Sequence, residues 1–153
     1  MNPYTYRISL RLKHPSANLA EIYQVLSQMP EVIPGRLCNI GEERTTPHGE
    51  KLDGHYTESW CGFGFTDEKQ SSDDQTLSDA INTIMAKLSP HKDLFAGNSK
   101  TGGTADFFIG LFVDANCGVV LDVELLKKLA DLQIEVGFDI YPPDTTSADE
   151  VKA

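Results

Sequence analysis

The sequence predicts a single α+β domain with a mixed or antiparallel sheet and helices mainly on one face. Several segments alternate apolar and polar residues, which is the period of a strand with one buried face. Other segments space their apolar residues as one stripe of a helix. The predicted order is strand, helix, strand, strand, helix, strand, helix, strand. The first six elements have the ferredoxin-like βαββαβ order, and an extra helix and strand extend it.

The first strand and first helix have the clearest patterns. Apolar residues of the strand occupy every second position: Tyr4, Tyr6, Ile8, Leu10 and Leu12. The dipeptide His14-Pro15 ends this strand, because proline restricts the residue before it and donates no hydrogen bond. A helical stripe follows: Leu19, Ile22, Tyr23, Leu26 and Met29. Asn18 and Glu21 are three apart, which predicts a capping box at the start of this helix.

The middle of the chain is rich in glycine and proline. We predict a short strand at residues 37–40 and then an exposed loop that carries Glu42 and Glu43. Residues 56–65 are aromatic and extended, with apolar side chains at both odd and even positions. Such a segment is either covered on both faces or contains a bulge, which we place near Gly62.

The second half alternates helices and strands. We predict a helix capped by Asp74 and ended by Pro90, with one apolar stripe formed by Leu77, Ile81, Ile84, Met85 and Leu88. A flexible loop at 98–103 and a central strand at 104–113 covered on both faces follow. A helix starting at Asp122 precedes the last strand. In that strand the predicted inward residues are Ile134, Val136, Phe138 and Ile140. The single domain spans residues 1–143, and residues 144–153 form a polar, frayed tail.

The charge of the chain restricts its partners. There are 13 basic and 23 acidic residues, for a formal net charge of −10. A surface of this sign repels phosphate backbones, so we expect no nucleic-acid partner. Clustered acidic groups would attract a basic protein, although the same charge is also explained by solubility alone.

We expect no signal peptide and no membrane partner. With three irregularly spaced cysteines, a reducing, cytoplasmic location is predicted.

The sequence contains no pattern that identifies a reaction centre. Residues 100–104 have the composition of a phosphate loop, but they lead into a strand, so we interpret them as a hairpin or helix-exit loop. His48 and His55 are separated by two glycines, so nothing fixes a metal geometry. Cys61 lies in an aromatic strand, where a thiol is deprotonated with difficulty. We predict no catalytic residue, no metal and no cofactor.

Five residues are candidates for binding a partner or ligand. Trp60 is the only tryptophan and lies at a strand end beside a long loop, a residue type that interfaces favour. Glu42 and Glu43 provide exposed negative charge in that loop. Asp139 and Tyr141 share the outward face of the last strand, where a covering layer would make them a buried polar pair.

Two regions carry a resemblance to a known family. Residues 41–49 have the sequence GEERTTPHG and residues 54–60 the sequence GHYTESW. Near the end, LADL at 129–132 is followed by FDIY at 138–141. Together they resemble the bacterial domain-of-unknown-function 4279 family over about residues 4–141. The resemblance implies a small α+β domain with no agreed activity or cofactor. It marks Gly41, Gly49, Trp60, Asp139 and Tyr141 as fold or site residues only.

Three functions follow as hypotheses. The first is a non-catalytic protein-binding module, and its sharpest version is an immunity protein that neutralises a basic toxin domain. The second is a small enzyme or ligand-binding domain with residues 41–60 as a lid over the sheet. The third is a structural or oligomerising module, which rests on the apolar residues 107–113. The oligomeric state does not follow from the sequence.

Overall fold

The computed structural model describes residues 2–66 and 68–144, and it confirms the α+β class with a mixed sheet. The strands are β1 (Tyr4–His14), β2 (Ile33–Cys38), β3 (Glu43–Thr45), β4 (Lys51–His55), β5 (Ser59–Gly64), β6 (Gln70–Ser71), β7 (Thr104–Val113) and β8 (Ile134–Tyr141). The helices are α1 (Ala20–Ser27), α2 (Leu77–Leu88), α3 (Lys92–Lys100) and α4 (Val123–Asp131), and a 3₁₀ turn (Ser89–His91) joins α2 to α3. None of the helices in the described part of the chain has the length and apolar content to cross a membrane.

The main sheet has the strand order β2-β5-β1-β7-β8, and β6 pairs with the start of β1. β1 is antiparallel to both β5 and β7, while β7 and β8 are parallel. The strands β3 and β4 form a separate two-stranded hairpin between β2 and β5. This hairpin, β6 and α3 are additions to the predicted series of eight elements.

One face of the main sheet, here called the covered face, packs against the helices. The strands contribute alternate residues to one hydrophobic core with the buried side chains of α1, α2, α3 and α4. Members from β1 and β7 are Tyr4, Tyr6, Ile8, Leu10, Leu12, Ala105, Phe107, Ile109 and Leu111. Leu77, Ile81, Met85 and Leu88 of α2 are almost completely buried against it. The predicted period of two in β1 and the predicted stripe of α2 are confirmed.

On the opposite side, here called the open face, no helix of the described residues forms a covering layer. The residues of this face alternate with the core residues along the same strands, and register pairs place them in rows across the sheet. One row contains Phe108, Ser9 and Gly64, and the next contains Asp106, Arg11 and Gly62. Our prediction that both faces of β7 are covered is therefore wrong. Phe108 and Phe112 are only partly buried. The guanidinium carbon of Arg11 lies 4.3 Å from the centroid of the Phe108 ring, and Nζ of Lys69 lies 3.6 Å from the centroid of the Phe112 ring.

The last strand also differs from the prediction. Ile134 is buried, but Phe138 and Ile140 are 41% and 58% exposed. β8 is the edge strand of the sheet, and only its first half lies within the cover of the helices. The predicted alternation is present, but only the first of the predicted inward residues is fully buried in the core. Of the predicted polar tail, residues 145–153 lie outside the described residues.

Helix starts were predicted less accurately than helix faces. The capping box of α1 is wrong: the helix starts after Leu19, whose N–H donates to Asn39 Oδ1 at 2.9 Å, and Asn18 Oδ1 accepts from Ala20 N–H. Thr76, not Asp74, caps α2 by accepting from Asp79 N–H. Asp122 caps α4 as predicted, by accepting from Leu125 N–H.

The loops hold more regular structure than the sequence predicted. Residues 98–100 belong to α3 rather than to a flexible loop, and Gly102 N–H bonds to Ser99 O as the chain leaves that helix. Of the two alternatives for residues 56–65, the bulge near Gly62 is not observed in β5, and the register shift lies in β2, between Pro34 and Leu37. β5 itself alternates regularly, with Cys61 and Phe63 in the core.

Candidate binding site on the open face

A pocket of about 440 Å³ lies on the open face where β1, β2 and β5 run side by side. The strand register places Trp60 opposite Lys13 and Gly62 opposite Arg11, and Arg36 comes from the bulged strand β2. Its lining residues are Arg11, Leu12, Lys13, Arg36, Glu58, Trp60, Cys61 and Gly62. We call this the Trp60 pocket. Most of these residues lie on the open face, whereas Leu12 and Cys61 belong to the hydrophobic core beneath it.

Gly62 leaves the floor of the Trp60 pocket without a side chain. A Cβ at this position would meet only Leu10 O, at 3.7 Å, which is an ordinary contact. Its backbone is not in the left-handed region that favours glycine. A Cβ therefore fits at Gly62, and the absence of a side chain there leaves the pocket floor open.

Arg36 is held in place beside the Trp60 ring. Its guanidinium carbon is 5.7 Å from the ring centroid, a cation–π distance. Nη2 donates to Thr45 O at 2.9 Å, to Thr45 Oγ1 at 3.0 Å and to Tyr56 OH at 3.2 Å. Tyr56 also packs its ring edge-on against Trp60 with centroids 6.4 Å apart. Within the described chain, Nη1 and Nε of Arg36 have no hydrogen-bond partner.

The β3–β4 hairpin supplies these contacts. Its base is closed by two backbone hydrogen bonds, Gly41 N to Tyr56 O at 2.9 Å and Tyr56 N to Glu42 O at 3.0 Å. Its tip is a tight turn in which Gly49 has a φ of 87° and donates to Thr46 O. The segment predicted as an exposed loop is thus a small ordered unit that fixes one wall of the pocket.

The charges around the Trp60 pocket are mainly positive, although the whole chain carries −10. Arg11 makes a two-point ion pair with Asp106, at 2.9 and 2.6 Å, so its charge is largely neutralised. This pair also raises the pKa of Arg11. Lys13 is exposed and has no ion pair among the described residues, and Glu58 on the rim is likewise unpaired there. Lys13 and Arg36 therefore leave the pocket with a local excess of positive charge.

The predicted site residues do not meet at one place. Trp60 lies on β5, whereas Asp139 and Tyr141 lie on β8, on the far side of β1 and β7. Tyr141 OH donates to Asp139 Oδ2 at 2.5 Å, so the predicted pairing is confirmed. The pair is not buried, because Tyr141 is 45% exposed and its ring stacks on Phe112 with centroids 4.7 Å apart. The hydrogen bond to Asp139 raises the pKa of the Tyr141 hydroxyl.

Glu42 and Glu43 are exposed at the base of the β3–β4 hairpin, as predicted. Oε2 of Glu43 lies 3.4 Å from Nζ of Lys51, and Arg44 follows Glu43 in sequence. Their negative charge is therefore partly offset within the hairpin. Neither residue lines the Trp60 pocket.

The reactive side chains lie elsewhere or are unreactive. Burial raises the pKa of the Cys61 thiol to about 12, which confirms that deprotonation is difficult. His14 is buried: its Nδ1 accepts from Ser16 N and Ala17 N, and its Nε2 lies 2.7 Å from Thr101 Oγ1. In the described part of the chain, no three His, Cys, Asp or Glu side chains lie together to hold a metal ion.

Sequence reasoning missed Lys13, Arg36 and Gly62 as site residues. A signal was present in β1, where Arg7, Arg11 and Lys13 fall on the outward positions of the alternating pattern. Arg36 gave no such signal, because the bulge in β2 decides which face it reaches.

The comparisons with known proteins identify the family and nothing more specific. A family model described as Domain of unknown function (DUF4279) matches residues 4–143. The chain therefore belongs to this family, and the resemblance seen in its motifs is confirmed. Neither a curated protein nor a solved structure gives a significant match.

Proposed function

We propose that this protein is a non-catalytic binding module whose binding site is the Trp60 pocket on the open face of the sheet. The observation that carries the proposal is the pocket floor. Gly62 leaves the floor of this pocket of about 440 Å³ without a side chain, at a position where a Cβ would make only an ordinary contact. Pockets with a few convergent polar groups are the usual place for a ligand.

The groups that line the pocket favour binding over catalysis. The ionisable side chains directed at this pocket are Arg11, Lys13, Arg36 and Glu58. The Cys61 thiol belongs to the core, with its pKa raised to about 12. Cations held by ion pairs and hydrogen bonds are suited to fixing a ligand.

The experiment compares what stays bound to the protein when it is purified from the cells that naturally make it. Native mass spectrometry would be run on the wild type, on Gly62→Val, which fills the pocket floor, and on Gly137→Val as the matched control. Gly137 is also on the open face, and a Cβ there meets only Phe107 O at 4.0 Å. We expect an additional bound mass, from a small molecule or a protein, on the wild type and the control but not on Gly62→Val. Identical spectra for all three proteins would contradict the proposal.

A second candidate function is an immunity role against a basic toxin domain, which would use the acidic surface of the chain rather than the Trp60 pocket. The net charge of −10 supports it, because opposite charge accelerates the encounter of two proteins. Exposed Glu42 and Glu43 would contact the cationic cleft of the toxin. A purified complex with a basic toxin domain encoded beside the gene would support this role, and the absence of such a neighbour would count against it. A bacterial, cytoplasmic setting belongs to the same proposal, and the free state of all three cysteines is consistent with it.

A further inference from the structure

We infer that the Trp60 pocket takes a small ligand with a flat ring system and an attached carboxylate or phosphate group. This inference rests on the proposed function and names the ligand chemistry of that same site. The anionic group is assigned from the cations of the pocket, and the flat body from the aromatic wall and the glycine floor.

The anion site is Arg36 together with Lys13. The three hydrogen bonds of Arg36 all use Nη2, so its Nη1 and Nε remain available to an incoming acceptor. Each of these two groups can donate a charge-assisted hydrogen bond to one oxygen of a carboxylate or phosphate. Because the β3–β4 hairpin already holds the side chain, little rotamer entropy is lost when the ligand binds. Lys13 adds a second cation that lacks an ion-pair partner in the described chain.

The flat body is assigned to the space between Trp60 and Gly62. Aromatic walls favour planar groups through stacked or edge-on contacts. The floor at Gly62 exposes backbone without a side chain, so a ring can approach the sheet closely. At about 440 Å³ the pocket has the volume of a small-molecule site.

One comparison argues that Arg36 does more than cover the sheet. Elsewhere on the open face, the guanidinium carbon of Arg11 lies 4.3 Å from the centroid of the Phe108 ring, and Nζ of Lys69 lies 3.6 Å from the centroid of the Phe112 ring. The guanidinium carbon of Arg36 lies farther from the Trp60 centroid, at 5.7 Å, and its Nη2 also donates to Thr45 and Tyr56. Arg36 is therefore less closely stacked on its ring than the other two cations.

The experiment titrates the full chain with four probes: benzoate, phenyl phosphate, benzamide and inorganic phosphate. Binding is measured by calorimetry and by the fluorescence of Trp60, the only tryptophan. We expect benzoate, phenyl phosphate or both to bind at least about tenfold more tightly than benzamide and inorganic phosphate, a difference that corresponds to about 1.4 kcal/mol. Benzoate alone would identify a carboxylate ligand, and phenyl phosphate alone a phosphate ligand.

Gly62→Val and Arg36→Gln should each weaken that binding at least tenfold, and Gly137→Val should leave it unchanged. Equal binding of benzamide would overturn the anion assignment, and equal binding of inorganic phosphate would overturn the flat ring. Absence of binding for all four probes, or binding that survives in Gly62→Val, would overturn the inference as a whole. If that happens while native mass spectrometry still shows a bound mass that depends on Gly62, the ligand chemistry is wrong but the binding site stands.

Discussion

The two faces of the main sheet are built from the same strands but have opposite character. On the covered face, Phe107 and Ile109 of β7 have no exposed surface. Their neighbours Phe108 and Gly110 on the open face are partly exposed, and cations rather than helices cover the aromatic rings there. The difference indicates that stability is concentrated on one face, while the other is free to carry a binding site. Substitutions on the two faces of the same strand should therefore have different consequences.

The largest difference is expected between adjacent phenylalanines. Phe107→Ala removes a ring from the closed core and should lower the free energy of unfolding by about 3–5 kcal/mol. Phe108→Ala mainly removes the contact with Arg11, and we expect a loss of about 1 kcal/mol. Urea unfolding at neutral pH measures both changes. If the two variants lost similar stability, the open face would contribute as much to the free energy of unfolding as the covered face does.

The end of β1 offers a second pair, His14 on the covered face and Lys13 on the open face. His14→Phe keeps most of the volume but leaves Ser16 N and Ala17 N without their acceptor. An unsatisfied buried polar group is costly, so a loss of about 2–3 kcal/mol is expected. Lys13→Ala, as the control, should change stability by less than about 0.5 kcal/mol. Chemical unfolding distinguishes the two, and equal effects would mean that the His14 hydrogen bonds contribute little.

A high pH should lower the free energy of unfolding, because the Cys61 thiol is buried on the covered face. Because burial raises the pKa of its thiol from 9.0 to about 12, the folded protein keeps a proton that the unfolded chain releases above pH 9. The stabilisation is complete below pH 9 and is lost as the pH rises toward 12. Between pH 8 and about 10.5 this corresponds to a loss of about 2 kcal/mol. The pKa of Tyr6, also raised to about 12 by burial, acts in the same direction.

The measurement is urea unfolding across that pH range for the wild type and two cysteine variants. Cys61→Ala should show a smaller decline than the wild type, whatever its stability at pH 8. Cys117→Ala changes a half-buried thiol elsewhere in the chain and should decline like the wild type. A decline in Cys61→Ala as steep as that of the wild type would show that this thiol does not carry the effect.

The smallest expected effect has the opposite sign. Gly62→Val restricts the unfolded chain and adds a β-branched side chain to a strand, and a Cβ fits there without a close contact. We expect the free energy of unfolding to rise by about 0.5–1 kcal/mol. Gly137→Val on the same face should behave similarly. Thermal unfolding tests both, and a strongly destabilised Gly62→Val would mean that the glycine is needed by the fold rather than by the site.

Local sequence pattern was sufficient for the elements that face the core. The alternation in β1 and the stripe of α2 depend only on the periods of strands and helices, so they could be predicted without knowing the neighbours. Helix starts were less accurate because the cap depends on a few individual hydrogen bonds, some of them to residues that are distant in sequence. Leu19 N–H finds its acceptor in Asn39, which lies twenty residues away, so a pattern near Asn18 contains no information about it.

The sequence by itself determined the α+β class and the buried side of β1, because both follow from periodicity. Only the tertiary structure decided that none of the described helices covers one face of β7, that Phe138 and Ile140 extend beyond the core, and that Asp139 and Tyr141 pair on an exposed surface. It also decided that Lys13, Arg36, Trp60 and Gly62 surround one pocket. The physical reason is strand register: side chains become neighbours across a sheet through hydrogen-bond pairing between distant segments. A single bulge in β2 changes which of its residues reach the open face.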